Sequence, residues 1–267
     1  MSYILVEQPR PHVTLITLNR PERMNAMAFD VMVPLRDTLE TVGNDNDCRV
    51  VIITGAGSGF CSGADLENAG IPPHIDGLTV TTIAQRAMEL LDDVIVTISK
   101  LHQPVIGAIN GAAIGGGFCL AMATDIRVAA PSAYFRAAGI NNGLTASELG
   151  ISYLLPRAIG SSRAFDIMLT GRDVWAEEAE RIGLVSHIAG ADELLDDCYA
   201  IAERMIGFSR IGSELTKRML WASLDAGSLR SHMDHEGTAQ LYVRLTTQNF
   251  QEAIAARKEK RSPVFRD

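Results

Sequence analysis

Cysteine is scarce and scattered in this chain. Four occur in 267 residues, at Cys48, Cys61, Cys119 and Cys198, with no CxxC pair. That spacing excludes a disulfide framework or a zinc site and points to reduced thiols in the cytoplasm. No stretch approaches 18 uninterrupted apolar residues, so no membrane-spanning helix is expected. The opening MSYILVEQPRP lacks the basic and apolar regions of a signal peptide, and the closing SPVFRD is no lipidation or peroxisomal signal. Positive charge is also short. The net charge of −8 argues against nucleic acid or an anionic membrane as a partner of the whole surface. Repeats and low-complexity segments are absent. What remains, 47% hydrophobic and 21% charged residues, is the profile of an ordinary soluble globular protein with ample core.

Several familiar catalytic signatures are missing as well. TGAGSGF follows a strand-like run, but its glycines do not reach the GxGxxG spacing, because Phe60 and Ser62 fall at the sixth positions. HMDHE, from His232 to Glu236, lacks the HExxH order and a third ligand, so a solvated helix face is expected and no metal site. No GxSxG turn is present, which removes the usual serine hydrolase arrangement.

Strand and helix patterns alternate through the first half. Ile4–Glu7, Val13–Leu18, Arg49–Thr54, Pro104–Asn110 and the DIRVAA segment read as strands. Phe29–Val42, Ile83–Leu101 and the run from the glycine triplet to Thr124 read as helices. From about Ser147 onward nearly everything has helical spacing, over 147–159, 161–169, 176–182, 191–206, 213–225 and a broken 229–258. The expected division is an α/β core over 1–200 and a helical region over 201–267.

AINGAAIGGGFCLAMATD raises the sharpest question. A strand ending in Gly115, Gly116 and Gly117 and opening a helix presents free N–H groups at the positive end of the helix dipole. Glycine lets a ligand approach without a Cβ in the way. A second strand ends similarly at CSGADL. Two such ends, each offering one N–H, can hold a single oxygen atom as an oxyanion hole does.

With these motifs in view, the chain resembles the crotonase superfamily of enoyl-CoA hydratases and isomerases. The matching segments run along nearly all of it: LNRPERMNAM, GFCSGADL, QPVIGAINGAAIGGGFCLAMATDIRVA, LTGRDVWAEEAERIGLV and EAIAARKEKRSPVF. The resemblance implies a spiral of ββα units with a helical C-terminal trimerisation region, assembled as a homotrimer or a dimer of trimers. It implies an acyl-CoA thioester substrate, with coenzyme A as part of the substrate and no separate cofactor. It places the oxyanion hole at the N–H groups of Ala64 and Gly116. Coenzyme A would lie against Arg23, Met24 and Ala26 and along the backbone of Ala64, Asp65 and Leu66. Lys258 and Lys260 would reach phosphates of a neighbouring subunit's ligand. Asp65 and Asp125 look structural in their side chains.

The chain departs from the hydratases where their two glutamates stand. Cys119 occupies one position and Gly139 the other. Glu148, in LTASELGISYLLP, resembles the single base of peroxisomal-type Δ3,Δ2-enoyl-CoA isomerases. One carboxylate in an apolar setting suits a proton shuttle from C2 to C4. The same glutamate also completes a capping box, Thr145-x-x-Glu148, or follows a Ser147 cap, so catalysis and capping both stand at this point. Cys119 would gain acidity from a helix N-terminus, but a small inert lining residue is the simpler reading. Tyr134, Asn141 and Asn142 are weaker candidates for orienting substrate. The expected activity is isomerisation. A hydratase or another enolate reaction using Glu148 is one alternative, and a non-catalytic acyl-CoA-binding paralogue is the other.

Overall fold

Val50–Gly55 is buried at every position, and a strand of that kind must be covered on both faces. It lies inside the larger of two sheets. In the computed structural model, which describes residues 2–190 and 192–267, this sheet has six strands. They are, in spatial order, β1 (Ile4–Arg10), β2 (Val13–Leu18), β3 (Val50–Gly55), β5 (Val105–Ile109), β7 (Ile126–Ala129) and β10 (His187–Ile188). β1 runs antiparallel to β2, and the other neighbours are parallel. A four-stranded sheet holds β4 (Gly59–Cys61), β6 (Ala112–Ile114), β8 (Tyr134–Arg136) and β9 (Val174–Trp175), with only β9 antiparallel.

Each turn of the chain therefore lays one strand in each sheet and then a helix. β3 and β4 precede α2 (Val80–Lys100), β5 and β6 precede α3 (Gly116–Ala123), and β7 and β8 precede α4 (Ile151–Ile159). This is the spiral of ββα units. α1 (Phe29–Gly43) connects β2 to β3 and buries Val31, Met32, Leu35, Leu39 and Val42 along one stripe. The core between the sheets and these helices contains Phe60, Phe118 and Phe135, with the last two rings 5.3 Å apart. α5 (Ser161–Thr170) and α6 (Ala176–Arg181) follow. α7 (Leu194–Ile206) covers the other face of the large sheet, where Cys198, Tyr199 and Ala202 meet Val13, Val50 and Ile106. A boundary at residue 200 thus falls inside α7, and the purely helical part starts with α8 (Arg210–Ser223).

α8 is pinned to the core by a buried lysine. Lys217 Nζ donates to the Ile98 and Gln103 carbonyls at 3.0 Å each and pairs with Asp125 at 2.9 Å. Asp125 also accepts from Val105 N and Trp221 Nε1, both at 2.7 Å, so its role is structural as expected. A cavity of about 800 Å³ lies between α8 and the core, lined by Arg127, Arg157 and Trp221 among others, but not by Ala64, Gly116 or Glu148. The expected break in 229–258 falls at Thr247–Gln248, between α9 (Leu229–Thr246) and α10 (Asn249–Glu259). α9 buries no residue and exposes Leu229, Leu241, Tyr242 and Leu245.

The Asp267 carboxylate closes this region. It accepts from Ser209 Oγ, Arg210 N, Ile211 N and Asn249 Nδ2. It therefore joins the first turn of α8 to the start of α10. Burial raises its pKa, but these hydrogen bonds more than offset that and leave it below the usual value. Asp267→Ala is expected to cost about 1 kcal/mol, the usual loss for an N-cap, read as a lower urea midpoint at pH 7.

Candidate active site

Ala64 and Gly116 stand at neighbouring strand ends. Met27 bridges to Ala64 in parallel fashion: Met27 N donates to Gly63 O at 2.7 Å, and Asp65 N donates to Met27 O at 2.9 Å. In such a bridge the central residue's own N–H points to the opposite side, so Ala64 N faces away from Met27. Gly116 is the first residue of α3, where the N–H has no acceptor within its helix. Neither N–H has a backbone acceptor among the described residues. A Cβ on Gly63 would lie 3.4 Å from Gly116 N, so the two ends abut. Two unpaired donors, one at a helix N-terminus, can hold one oxygen that gains negative charge.

The three glycines serve three different neighbours. Gly115 has φ +52°, a conformation that favours glycine. A Cβ on Gly116 would press on the Met27 thioether. One on Gly117 would sit 2.8 Å from the Cys61 carbonyl carbon and closer still to its oxygen. Ligand access alone does not account for the triplet, because Gly117 is also required by the approach of β4 to α3.

Glu148 is not a helix cap. α4 begins at Ile151 rather than near Ser147, with Gly150 at its N-cap position and no side-chain cap. Thr145 Oγ1 donates instead to Ser147 O at 3.1 Å. The local cause is a turn with two positive φ angles, +45° at Leu149 and +79° at Gly150. Leu149 is buried against the start of α3, 3.4 Å from the Cβ position of Gly116. A branched side chain in the left-handed region costs of order 1–3 kcal/mol, and packing holds it there. The turn aims Glu148 at the bare backbone of α3, with Oε1 3.3 Å from the Cβ position of Gly115. No hydrogen bond or ion pair engages its carboxylate among the described residues. Burial raises its pKa.

The two other acid positions are closed. Cys119 is fully buried. Its Sγ lies 3.3 Å from Gly115 O and 3.5 Å from Glu148 O. Burial, followed by the Glu148 charge, pushes the thiol well above its ordinary value, overriding any acidifying helix end. A Cβ on Gly139 would stand 2.9 Å from the Thr145 carbonyl carbon and closer to its oxygen, so no side chain fits that backbone path.

Asp65 anchors the Ala64 loop. Its carboxylate pairs with Arg20 at 2.9 Å and Arg23 at 3.0 Å, and it accepts from Glu67 N at 3.0 Å and Asn68 N at 2.9 Å. The Asn68 and Glu67 N–H groups and then Arg23 lower its pKa to about 2. Only the Asp65 backbone is left for a ligand. Both terminal nitrogens of Arg23 are engaged, since Nη1 also pairs with Glu67 at 2.6 Å. Asn25, at φ +55°, accepts from Arg20 N and donates to Ala56 O and Gly59 O at 2.9 Å each. That explains the NRPERMN turn. It leaves Met24 exposed, as Leu66 is, while Ala26 is buried. Ser62 N donates to Met24 O at 3.0 Å, so the Arg23–Ala26 and Ala64–Leu66 segments are adjacent. Lys258 is exposed on α10, which packs on α9.

The weaker candidates have other engagements. Tyr134 stacks on Trp175 with centroids 4.8 Å apart, and Asn141 lies against Gly171. His232 pairs with Glu236 at 3.4 Å, and no group of three metal-ligating side chains occurs among the described residues. Sequence reasoning missed Met27, Arg20 and Leu149 as the residues that position the site. The left-handed Leu149 carries no sequence mark except the glycine that follows it.

A family model described as enoyl-CoA hydratase/isomerase matches residues 10–267. The chain belongs to the enoyl-CoA hydratase/isomerase family. A Mycobacterium tuberculosis protein named "Probable enoyl-CoA hydratase EchA12" is 69% identical over 267 residues, covering 100% of this chain and 94% of that protein. A Mycobacterium abscessus structure described as a "probable enoyl-CoA hydratase/isomerase" is 68% identical with a TM-score of 0.96, covering 100% of this chain and 99% of the other. A structure described as a monofunctional enoyl CoA isomerase from M. smegmatis is 60% identical with a TM-score of 0.75, covering 87% of this chain and 99% of the other. The fold of this family member is the crotonase fold, and the chain is an enzyme of that family. The relatives' names divide between hydratase and isomerase.

Proposed function

We propose that this enzyme is a Δ3,Δ2-enoyl-CoA isomerase. One observation carries the reading: a single unpaired carboxylate, Glu148, faces the bare start of α3 while Cys119 and Gly139 fill the other two acid positions. Hydration needs water deprotonated at one carbon and a proton supplied at the next. Isomerisation needs a proton removed at C2 and one added at C4, with no water held between two acids.

In this reading the thioester oxygen sits between the N–H groups of Ala64 and Gly116. Each donor supports the enolate by about 2.7–4 kcal/mol of barrier. Glu148, made more basic by burial, takes the C2 proton. Coenzyme A, part of the substrate, runs along Arg23, Met24, Ala26, Leu66 and the backbone of Ala64 and Asp65. The apolar side chains exposed on α9 support a homotrimer or a dimer of trimers, in which Lys258 would serve a neighbour's ligand. No further cofactor is required by this chemistry, and reduced buried cysteines suit a cytoplasmic enzyme.

The test is a pair of assays on the purified protein. With a 3-enoyl-CoA it is expected to form the 2-enoyl-CoA. With a 2-enoyl-CoA it is expected to add water at least about 10²-fold more slowly, the scale of a missing acid–base group. Hydration as fast as isomerisation would favour the hydratase reading. Acyl-CoA binding without either reaction would make the chain a binding paralogue.

A further inference from the structure

α8 leaves a gap over the core beside the point where Lys217 and Trp221 hold it to Asp125. The gap is the cavity of about 800 Å³, bounded by α8, the C-terminal parts of α3 and α4 and the start of β7. Small-molecule sites have volumes of about 300–1,000 Å³. The walls are mostly apolar, with Met122, Leu154, Phe208, Leu220 and Leu224 among them. The cavity does not reach Ala64, Gly116 or Glu148, and Met122 lies about 9 Å along α3 from Gly116.

The charge of this cavity is opposite to that of the chain. Acids outnumber Lys and Arg by 32 to 24 over the whole sequence, yet the lining sets Arg127, Arg157 and Lys217 against Asp125 alone. Lys217 and Asp125 pair with each other. Neither arginine has a carboxylate partner among the described residues. Arg127 is half-buried and donates from Nε and Nη1 to the Leu184 and Thr124 carbonyls at 2.7 Å each, which leaves Nη2 without an acceptor among those residues. Arg157 lies over the Tyr153 ring, 3.5 Å from its centroid, and donates from Nη1 to the Tyr153 carbonyl at 3.0 Å. Burial pulls the Arg127 guanidinium down to about 10 and Asp125 opposes that shift, so the group is still a cation at neutral pH. A cation set in apolar surroundings without a counter-ion is costly, and an anion supplied by a ligand relieves that cost. Guanidinium groups match a carboxylate in geometry as well as in charge.

We propose that this cavity is a second ligand site, separate from the acyl-CoA site, and that it takes a free fatty acid. The carboxylate engages Arg127 and Arg157, and the hydrocarbon chain lies against Leu154, Leu220 and Trp221. A coenzyme A thioester does not match this charge. Its phosphates would bring several negative charges to two unpaired cations, and its thioester end carries no anion for the half-buried guanidinium. A neutral lipid would leave both arginines as they are. Such a site is independent of which reaction Glu148 performs.

Dodecanoate, kept below its micellar concentration, is titrated into the protein as it assembles in solution. Binding is read by calorimetry and by Trp221 fluorescence in a Trp175→Phe background, which leaves Trp221 as the one tryptophan of two. Saturable binding with a change in Trp221 emission is expected, and saturating octanoyl-CoA should not displace the ligand. Dodecanol has the same chain without the charge, and it should bind at least about tenfold more weakly, the scale of hydrogen bonds to a charged group. Arg157→Gln should weaken dodecanoate binding several-fold. Arg127 also holds two backbone carbonyls, so the second variant is Leu220→Glu. That position is exposed, and the new carboxylate would compete with the ligand for the two guanidinium groups, so binding should be lost. No saturable binding to the assembled protein, as when a second copy seats on this face, overturns the proposal. So does equal affinity for dodecanol, or unchanged affinity in both variants. Displacement by octanoyl-CoA overturns it too, because the cavity would then belong to the acyl-CoA site.

Discussion

Glu148→Gln is expected to lower isomerase turnover by about 10²–10⁴-fold, the range for a positioned acid–base group, while leaving the melting temperature at pH 7 unchanged or higher. The amide keeps the size of the side chain and the turn through Leu149 and Gly150, but it cannot take a proton. The stability half follows from the missing partner. Burial raises the folded-state pKa of Glu148 above its unfolded value, so the folded protein binds more protons in that window. Stability then falls as pH rises from the unfolded pKa through the folded one, and the penalty persists at neutral pH. Gln removes it. The same shift sets the acid limb of kcat/KM. The carboxylate is the active form, so activity falls as pH drops through the raised value, beginning above the range of an ordinary glutamate. Initial rates and thermal melts from pH 5 to 8 read both effects. Full turnover with a lowered melting temperature would make Glu148 a structural residue of its turn.

The division between what the sequence revealed and what it hid has a physical basis. β3 and β5 were legible because they are buried on both faces and read as continuous apolar runs. α1 and α2 were legible because each buries one stripe. The second sheet left no such mark. β4, β6 and β8 have three residues each, too few for a period to show, and in β4 and β6 glycine or alanine stands where a strand would show branched residues. Only the family resemblance implied that half of the spiral. Glu148 shows the opposite failure. Thr145-x-x-Glu148 fits a capping box in spacing, yet the backbone turns through φ +45° and +79° before α4 starts, and a pattern of residue types does not encode that turn.

The chemistry lost from the hydratase pattern is held out by packing as well as by residue type. At position 139 the Thr145 carbonyl occupies the space of a Cβ. A glutamate there would require the 139–145 loop to take another path. At position 119 a second carboxylate would enter a site that is fully buried and already faces Glu148. Two like charges in such a site cannot both ionise. The turn that delivers Glu148 and the loop that excludes a side chain at Gly139 are parts of the same short segment.

Gly117→Ala is expected to be the most damaging of the three single-methyl substitutions in the glycine triplet. Its Cβ would lie 2.8 Å from both the carbonyl carbon and the Cβ of Cys61, and closer to the Cys61 oxygen. These atoms belong to β4 and cannot rotate away, so β4 and α3 must separate. Overpacking of this kind costs about 1–3 kcal/mol and sometimes more. The catalytic cost adds to it, because Cys61 leads through Gly63 to Ala64, and Gly116 moves with α3. One methyl thus parts both donors, and losing a single donor costs about 10²–10³ in kcat. Gly116→Ala should be the mildest of the three. Its Cβ meets the Met27 thioether, with the terminal methyl at 3.1 Å, and a flexible side chain can turn aside. Gly115→Ala should fall between them, since alanine is strained at φ +52° and its methyl would stand 3.3 Å from Glu148 Oε1. Urea unfolding and turnover of the three variants test this order. Gly117→Ala equal to wild type in both would show that the approach of β4 to α3 is not what fixes the two donors.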